Sequence, residues 1–144
     1  LVSSLDELSQ SEVLGSVFRQ IQADHGGKVI YMDLWATWCA ACLSTFPASK
    51  QLAQDLQGSR VRSIYVCISS PEAKWADAAS RYGLPEDASY FLNKEQSREL
   101  SRLFHNTGLP RYVIFDQQGI IVDDKAKQPT STALKDELLR IAGH

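Results

Sequence analysis

The stretch "DLWATWCAACLSTFP" (residues 33–47) decides how the rest of the chain is interpreted, because it holds two of the three cysteines. Cys39 and Cys42 could form a structural disulfide, half of a metal site or a thiol–disulfide redox pair. A bridge across four residues closes a very small loop and removes little entropy from the unfolded chain. A purely structural bridge is therefore disfavoured, and the surrounding sequence distinguishes the other two alternatives.

A zinc site is disfavoured by the arrangement of the remaining ligand-type residues. Structural zinc takes four ligands, commonly from two close pairs. Cys67 stands alone in an apolar segment, and the histidines have no ligand spacing. We predict no metal site and no cofactor, and we interpret Cys67 as a small buried hydrophobic residue. The histidines, predicted to lie at the surface or at helix caps, are His25, His105 and His144.

Length and composition indicate one folded domain over residues 1–144. Hydrophobic residues make up 44% of the chain, so a core can form without cysteine cross-links. The net charge is −2 with no basic cluster, and we expect a monomer that binds no nucleic acid. No apolar run approaches the ~18 residues of a membrane span. The chain begins with Leu1 rather than Met, and we expect any leader or lipid anchor to lie upstream.

The hydrophobic pattern predicts strands that alternate with helices. Strands are predicted at residues 28–35, 61–69, 89–93, 111–116 and 120–124. Helices are predicted at residues 9–25, 39–56, 70–82, 96–105 and 131–142. Pro47 should kink the second helix because it lacks an amide hydrogen. This alternation predicts the α/β class, with a central mixed sheet, helices on both faces and an antiparallel final hairpin.

The position of the cysteine pair favours redox chemistry. The pair follows a predicted buried strand and opens a helix, where residues three apart share a face and their sulfurs can bond. Cys39 should meet the free amides and the dipole of the helix start, which lower a thiol pKa from ~8.5 towards ~3.5–7.5. The Cys39 thiolate would attack a partner disulfide, and Cys42 would resolve the mixed disulfide.

The motif "DLWATWCAAC" resembles the active-site segment of thioredoxin-like proteins, and "WATWC" is typical of the bacterial TlpA/ResA-like branch. Pro47 takes the place of the family's helix-kinking proline, and "TGLPRYVIFDQQG" resembles its cis-proline loop, with the cis-proline at Pro110. The resemblance covers about residue 28 to the C-terminus. Residues 71–94 match the length of an insertion common in TlpA-like domains, and residues 1–27 form an N-terminal extension.

This resemblance implies a thioredoxin fold and a thiol:disulfide oxidoreductase. The Cys39–Cys42 pair would exchange with protein disulfide or dithiol substrates, as a reductant recharged by a membrane electron donor. The setting implied is extracytoplasmic in bacteria (the periplasm), with a possible membrane anchor. Asp33 would be a buried acid that relays a proton, its pKa raised by burial. The residues implied to bind substrate are Trp38, Ala40, Ala41, Leu109, Pro110 and Arg111.

Some residues keep alternatives open. Ala40-Ala41 replaces the Gly-Pro of thioredoxin between the cysteines, so neither the redox potential nor the direction of electron flow follows from the motif. Thr45 replaces the acidic residue of ResA-like reductases, so specialisation for apocytochrome c is not implied. Arg111 could favour the Cys39 thiolate or be a solvated charge. Trp35 is read equally well as core or site.

Two other functions compete with the oxidoreductase. One is a redox-inert module that uses the groove at Pro110 to hold peptides. The other is a peroxide-reducing relative, which needs a threonine three residues before its reactive cysteine. Thr37 lies two residues before Cys39, so that spacing disfavours the peroxidase.

Overall fold

The computed structural model describes residues 1–143, which form a five-stranded sheet with helices on both faces. The strands are β1 (Val29–Trp35), β2 (Val61–Cys67), β3 (Ser89–Phe91), β4 (Arg111–Phe115) and β5 (Ile121–Asp123). The helices are α1 (Leu5–Ser9), α2 (Gly15–His25), α3 (Ala40–Ser44), α4 (Phe46–Asp55), α5 (Glu72–Arg81), α6 (Lys94–Leu103) and α7 (Leu134–Ile141). A turn of 3-10 helix, Glu86–Ala88, precedes β3.

The sheet is mixed, with strand order β3-β2-β1-β4-β5. β1 and β2 are parallel, and so are β2 and β3. β4 runs antiparallel to β1, and β5 runs antiparallel to β4. The predicted α/β class is confirmed, and the final hairpin supplies the antiparallel part as predicted.

The two faces of β1 carry different side chains. One face, here called the apolar face, carries Ile30, Met32 and Leu34, which pack in one core with α1, α2 and α6. The opposite face, here called the cysteine face, carries Tyr31, Asp33 and Trp35, and it packs against α3, α4, α5 and α7. Successive strand residues point to opposite faces, so the strand serves both cores at once.

The N-terminal extension differs from its predicted single helix. Ser9, where the predicted helix should begin, instead ends α1, and its hydroxyl donates to the Asp6 carbonyl at 2.7 Å. A second helix begins after Ser11, whose hydroxyl accepts from the Leu14 amide at 3.1 Å. The prediction missed α1 because its apolar side chains, Leu5 and Leu8, lie before residue 9, where the predicted helix begins. The extension joins the core of the apolar face, while its assignment to one domain with residues 28–144 stays a prediction.

The other local predictions have mixed outcomes. The predicted helix over residues 39–56 is broken at Thr45, between α3 and α4, with Pro47 in the first turn of α4. His25, predicted at the surface or at a helix cap, is the last residue of α2 and is buried, and its Nε2 donates to the Asp87 carbonyl at 2.9 Å. His105 is exposed. His144 lies outside the described residues.

Candidate active site

The two cysteines form a disulfide at the point where β1 gives way to α3. Their Cα atoms lie 5.2 Å apart. Cys39 is the N-terminal capping residue of α3, and its sulfur accepts a hydrogen bond from the Cys42 amide at 3.1 Å. The Cys39 amide donates to the Ala36 carbonyl at 3.1 Å, which fixes the turn before the helix. A backbone N–H is thus aimed at the first sulfur, where it would stabilise a thiolate.

The two sulfur-bearing residues differ in access. Cys39 is 7% exposed and Cys42 is 1% exposed, so Cys39 is the more accessible cysteine by a small margin. Ala40 and Ala41, between them, are exposed. Trp38 is 65% exposed, and its indole Nε1 donates to the Ser69 carbonyl at 2.9 Å. That bond anchors a large apolar ring at the surface beside the pair.

The proline loop lies against the same cluster. Leu109 is half-buried and packs against the core cluster that contains both cysteines. The peptide bond between Leu109 and Pro110 is cis, and β4 begins at the next residue. The structure therefore brings Trp38, the two cysteines and Leu109 to one end of the sheet.

Arg111 does not join this group. Its side chain is buried, and it donates to the Asp124 carbonyl at 2.7 Å and to the Phe104 carbonyl at 3.0 Å. Its guanidinium lies over the Phe104 ring, 5.7 Å from the centroid. Arg111 pairs with Leu34 across the sheet, so its side chain lies on the apolar face. The structure thus contradicts its place in the substrate surface and its solvated alternative, because the side chain is buried on the opposite face of the sheet, where its Nε and Nη1 donate hydrogen bonds and its Nη2 lies 3.6 Å from the Asp124 carboxylate.

Asp33 lies in the middle of β1 on the cysteine face, and it is 1% exposed. Neither carboxylate oxygen has a hydrogen-bond partner among the described residues. Burial raises the pKa of Asp33 to about 8, as its apolar surroundings predict. A carboxyl group with this raised pKa can gain or lose a proton near neutral pH.

Two tyrosines flank Asp33 on the neighbouring strands, with their hydroxyls bonded to other residues, and sequence reasoning missed this arrangement. Tyr65 and Tyr112 pair with Asp33 from the two neighbouring strands. The Tyr112 hydroxyl lies 3.2 Å from the Thr45 hydroxyl, which donates to the Cys42 carbonyl at 2.8 Å. The Tyr65 hydroxyl lies 2.6 Å from that of Ser49. Alternation along "YMDLW" places Tyr31, Asp33 and Trp35 on one face of β1. It does not predict the register with β2 and β4, which brings Tyr65 and Tyr112 beside Asp33.

The remaining candidates on the cysteine face are core residues. Cys67 is fully buried, and burial raises the pKa of its thiol to about 11, which matches the predicted hydrophobic role. Trp35 is also fully buried, and its ring meets Phe46 edge-on at 5.2 Å. Within residues 1–143 no three His, Cys, Asp or Glu side chains are grouped to hold a metal ion. No helix in that range is long and apolar enough to cross a membrane.

Comparison with known proteins indicates the thioredoxin-like family, as the sequence motifs do. The profile of the thioredoxin-like family matches residues 26–121. Thioredoxin-1 of Caenorhabditis elegans is 29% identical over 86 residues, which are 60% of this chain and 70% of that protein. The thiol-disulfide oxidoreductase ResA of Geobacillus thermodenitrificans is 30% identical over 61 residues, which are 42% of this chain and 35% of ResA. The chain thus matches about a third of the length of that ResA.

Solved structures agree in fold. A candidate thiol-disulfide oxidoreductase from Bacteroides vulgatus superposes with a TM-score of 0.72 at 28% identity, covering 83% of this chain and 82% of that one. A thiol:disulfide interchange protein from Chlorobium tepidum TLS gives a TM-score of 0.66 at 20% identity, covering 84% and 83%. The chain therefore belongs to the thioredoxin-like family of thiol–disulfide oxidoreductases, and it resembles the bacterial TlpA/ResA-like branch.

Proposed function

We propose that the Cys39–Cys42 pair, in its dithiol form, reduces disulfide bonds in other proteins. The observation that carries this proposal is the Cys42 amide aimed at the Cys39 sulfur, with Cys42 itself shielded by the following turn. An amide donor favours the thiolate, which is the attacking species in disulfide exchange.

The first step is attack by the Cys39 thiolate on one sulfur of a substrate disulfide. A Cys39–substrate mixed disulfide forms, and the other substrate sulfur leaves as a thiolate that takes a proton from water. Cys39 is assigned this step because it is the more exposed cysteine and holds the amide hydrogen bond.

The second step is attack by Cys42 on the Cys39 sulfur. It releases the second substrate sulfur and leaves the protein with the internal disulfide, so two electrons pass to the substrate. Cys42 is buried and must first lose its proton. Asp33 is assigned as the acceptor, directly or through one water, because it is buried on the same face with both oxygens unpartnered and a raised pKa.

The substrate surface is assigned to the exposed rim of the pair. Trp38, Ala40 and Ala41 offer an exposed, largely apolar rim, and Leu109 adds an apolar contact. Pro110 cannot donate a backbone hydrogen bond, which leaves the preceding backbone to pair with an extended substrate segment. Such a surface suits brief contact with many protein chains.

The direction and the setting rest on the resemblance to ResA. We assign an extracytoplasmic bacterial setting, with a membrane electron donor that returns the pair to the dithiol form. A redox titration against glutathione tests the direction. A reductant should have a potential nearer to the ~−270 mV of thioredoxin than to the ~−120 mV of strongly oxidising relatives. A value at the oxidising end would reverse the assigned direction.

Insulin reduction driven by dithiothreitol tests the activity itself. The parent chain should accelerate precipitation of the insulin B chain, and Cys39→Ser should reduce the rate to that of dithiothreitol alone. The control is Cys67→Ala, which alters a buried cysteine outside the pair and should retain the parent rate. A parent chain no faster than dithiothreitol would favour the peptide-binding module instead. Peroxide consumption in the same mixture should stay at background.

A further inference from the structure

A cleft on the cysteine face lies away from the redox pair, between α4, the start of β2 and the segment that follows α5. Its volume is about 320 Å³, at the lower end of the ~300–1,000 Å³ range of small-molecule sites. Its walls include aromatic and aliphatic side chains: Phe46, Leu56, Val61, Tyr65, Tyr82 and Leu84. Such a cleft can bury the apolar body of a small ligand.

The charged side chains that line this cleft are all basic. Lys28, Lys50 and Arg62 line it, and no Asp or Glu is among the described lining residues. Arg62 is paired with Asp87 at 2.7 Å, whereas neither lysine has an ion-pair or hydrogen-bond partner within residues 1–143. The Lys50 ammonium is 3.0 Å from where a side chain on Gly83 would begin, so it lies at the rim. Two free cations over an apolar cleft favour an anion.

A polar group inside the cleft also lacks a partner. Ser63 lines the cleft and is nine-tenths buried, and its hydroxyl makes no hydrogen bond to any described residue. Buried hydroxyls are normally satisfied, because an unpaired one costs free energy. The nearby Tyr65 hydroxyl is bonded to Ser49 instead. A ligand oxygen or an ordered water would complete the site.

We propose that this cleft binds a small organic anion with an apolar body, such as an aryl or alkyl carboxylate. The apolar body would lie on Phe46 and Tyr82, and the carboxylate would lie between the two lysines. The Phe46 ring also packs against Trp35, so the cleft shares one side chain with the redox region. The inference goes beyond the proposed exchange reaction and does not depend on it.

The test is an NMR titration of the ¹⁵N-labelled oxidised protein with 4-phenylbutyrate. Saturable shifts should concentrate at the amides of Gly58, Ser63 and Gly83, with a dissociation constant on the order of 1 mM. The neutral analogue 4-phenyl-1-butanol should bind about tenfold more weakly, since it keeps the body and loses the charge. Equal binding of the alcohol, or shifts that never saturate, would overturn the proposal.

Matched variants locate the effect. Ala53→Glu places a carboxylate on an exposed lining position of α4 and should weaken binding more than tenfold. Its control, Ala73→Glu, makes the same change at an exposed position on α5 outside the cleft. Lys50→Gln should weaken binding several-fold, whereas Lys135→Gln on α7 should leave it unchanged. Equal losses in variant and control would show a general charge effect and contradict the site. Because the readout is binding to the oxidised chain, a failure of insulin reduction would leave this result intact.

Discussion

The apolar face and the cysteine face of β1 place the same strand in two different chemical environments. On the apolar face, Ile30, Met32 and Leu34 belong to one hydrophobic core with side chains of α1, α2, α6 and the adjacent strands. On the cysteine face, the same strand carries a carboxyl group that has no partner among the described residues. The apolar face therefore stabilises the fold through burial, whereas the cysteine face also holds the buried Asp33 carboxyl, which destabilises it.

The difference indicates which face is arranged for chemistry. A buried acid without a hydrogen bond is costly, and a strand that needed only packing could carry a hydrophobic residue there. Asp33 instead lies between Tyr65 and Tyr112, and the Tyr112 hydroxyl is linked through Thr45 to the Cys42 carbonyl. Perturbed acids of this kind cluster at functional sites. The comparison predicts that a substitution on the apolar face lowers stability alone, whereas Asp33→Asn changes both the pH dependence of stability and the exchange reaction.

The largest expected effect is on the pH dependence of stability. Asp33 has a pKa of about 8 in the folded chain, against ~3.9 when unfolded, so the folded state holds more protons between these values. The free energy of unfolding should therefore fall as the pH rises from about 4 to 8, by up to ~1.4 kcal/mol per pH unit. Asp33→Asn should remove this slope and be no less stable at pH 8. Urea denaturation across this range measures it, and parallel curves for the two proteins would contradict the assignment.

A smaller loss of stability is expected from the apolar face. Phe18 is fully buried in that core, and Phe18→Ala should lower the free energy of unfolding by ~3–5 kcal/mol. The exchange rate per folded molecule should not change, because Phe18 lies across the sheet from the cysteines. Val122→Ala, at a 47% exposed position, is the control and should be nearly neutral. A change in the redox potential of the folded Phe18→Ala variant would contradict the claim that the apolar face does not influence the cysteine pair.

The fold could be predicted further from sequence than the site could. The apolar runs and turn residues gave the strands and most helices, because burial periodicity is local. Asp33 and the cysteine pair were found because each is chemically unusual where it stands. Thr45 and Tyr112 were not, since an ordinary threonine and tyrosine gain a role only through the strand register. Arg111 was misplaced because its pairing with Leu34, not its nearness to Pro110, sets the face of its side chain.

The smallest expected effect concerns the hydrogen bond between the hydroxyls of Thr45, at the end of α3, and Tyr112, in β4. Thr45→Val removes the donor to the Cys42 carbonyl and leaves the Tyr112 hydroxyl unpaired. The free energy of unfolding should fall by ~1–2 kcal/mol, the usual cost of an unsatisfied buried group. Thr45→Ser keeps the hydroxyl and should recover most of that loss. A Thr45→Ser variant as unstable as Thr45→Val would assign the effect to packing instead.

The most direct test of the division between the faces is the rate of the resolving step in Asp33→Asn. Stopped-flow fluorescence, with exposed Trp38 as reporter, can separate attack by Cys39 from resolution by Cys42. In the parent chain the resolving rate should rise through about pH 8, as Asp33 becomes able to accept a proton. In Asp33→Asn that rise should vanish and resolution should slow by ~10²-fold at pH 8, with the first attack little changed. Superimposable resolving rates from pH 6 to 9 would show that Asp33 is a structural acid with no part in proton transfer.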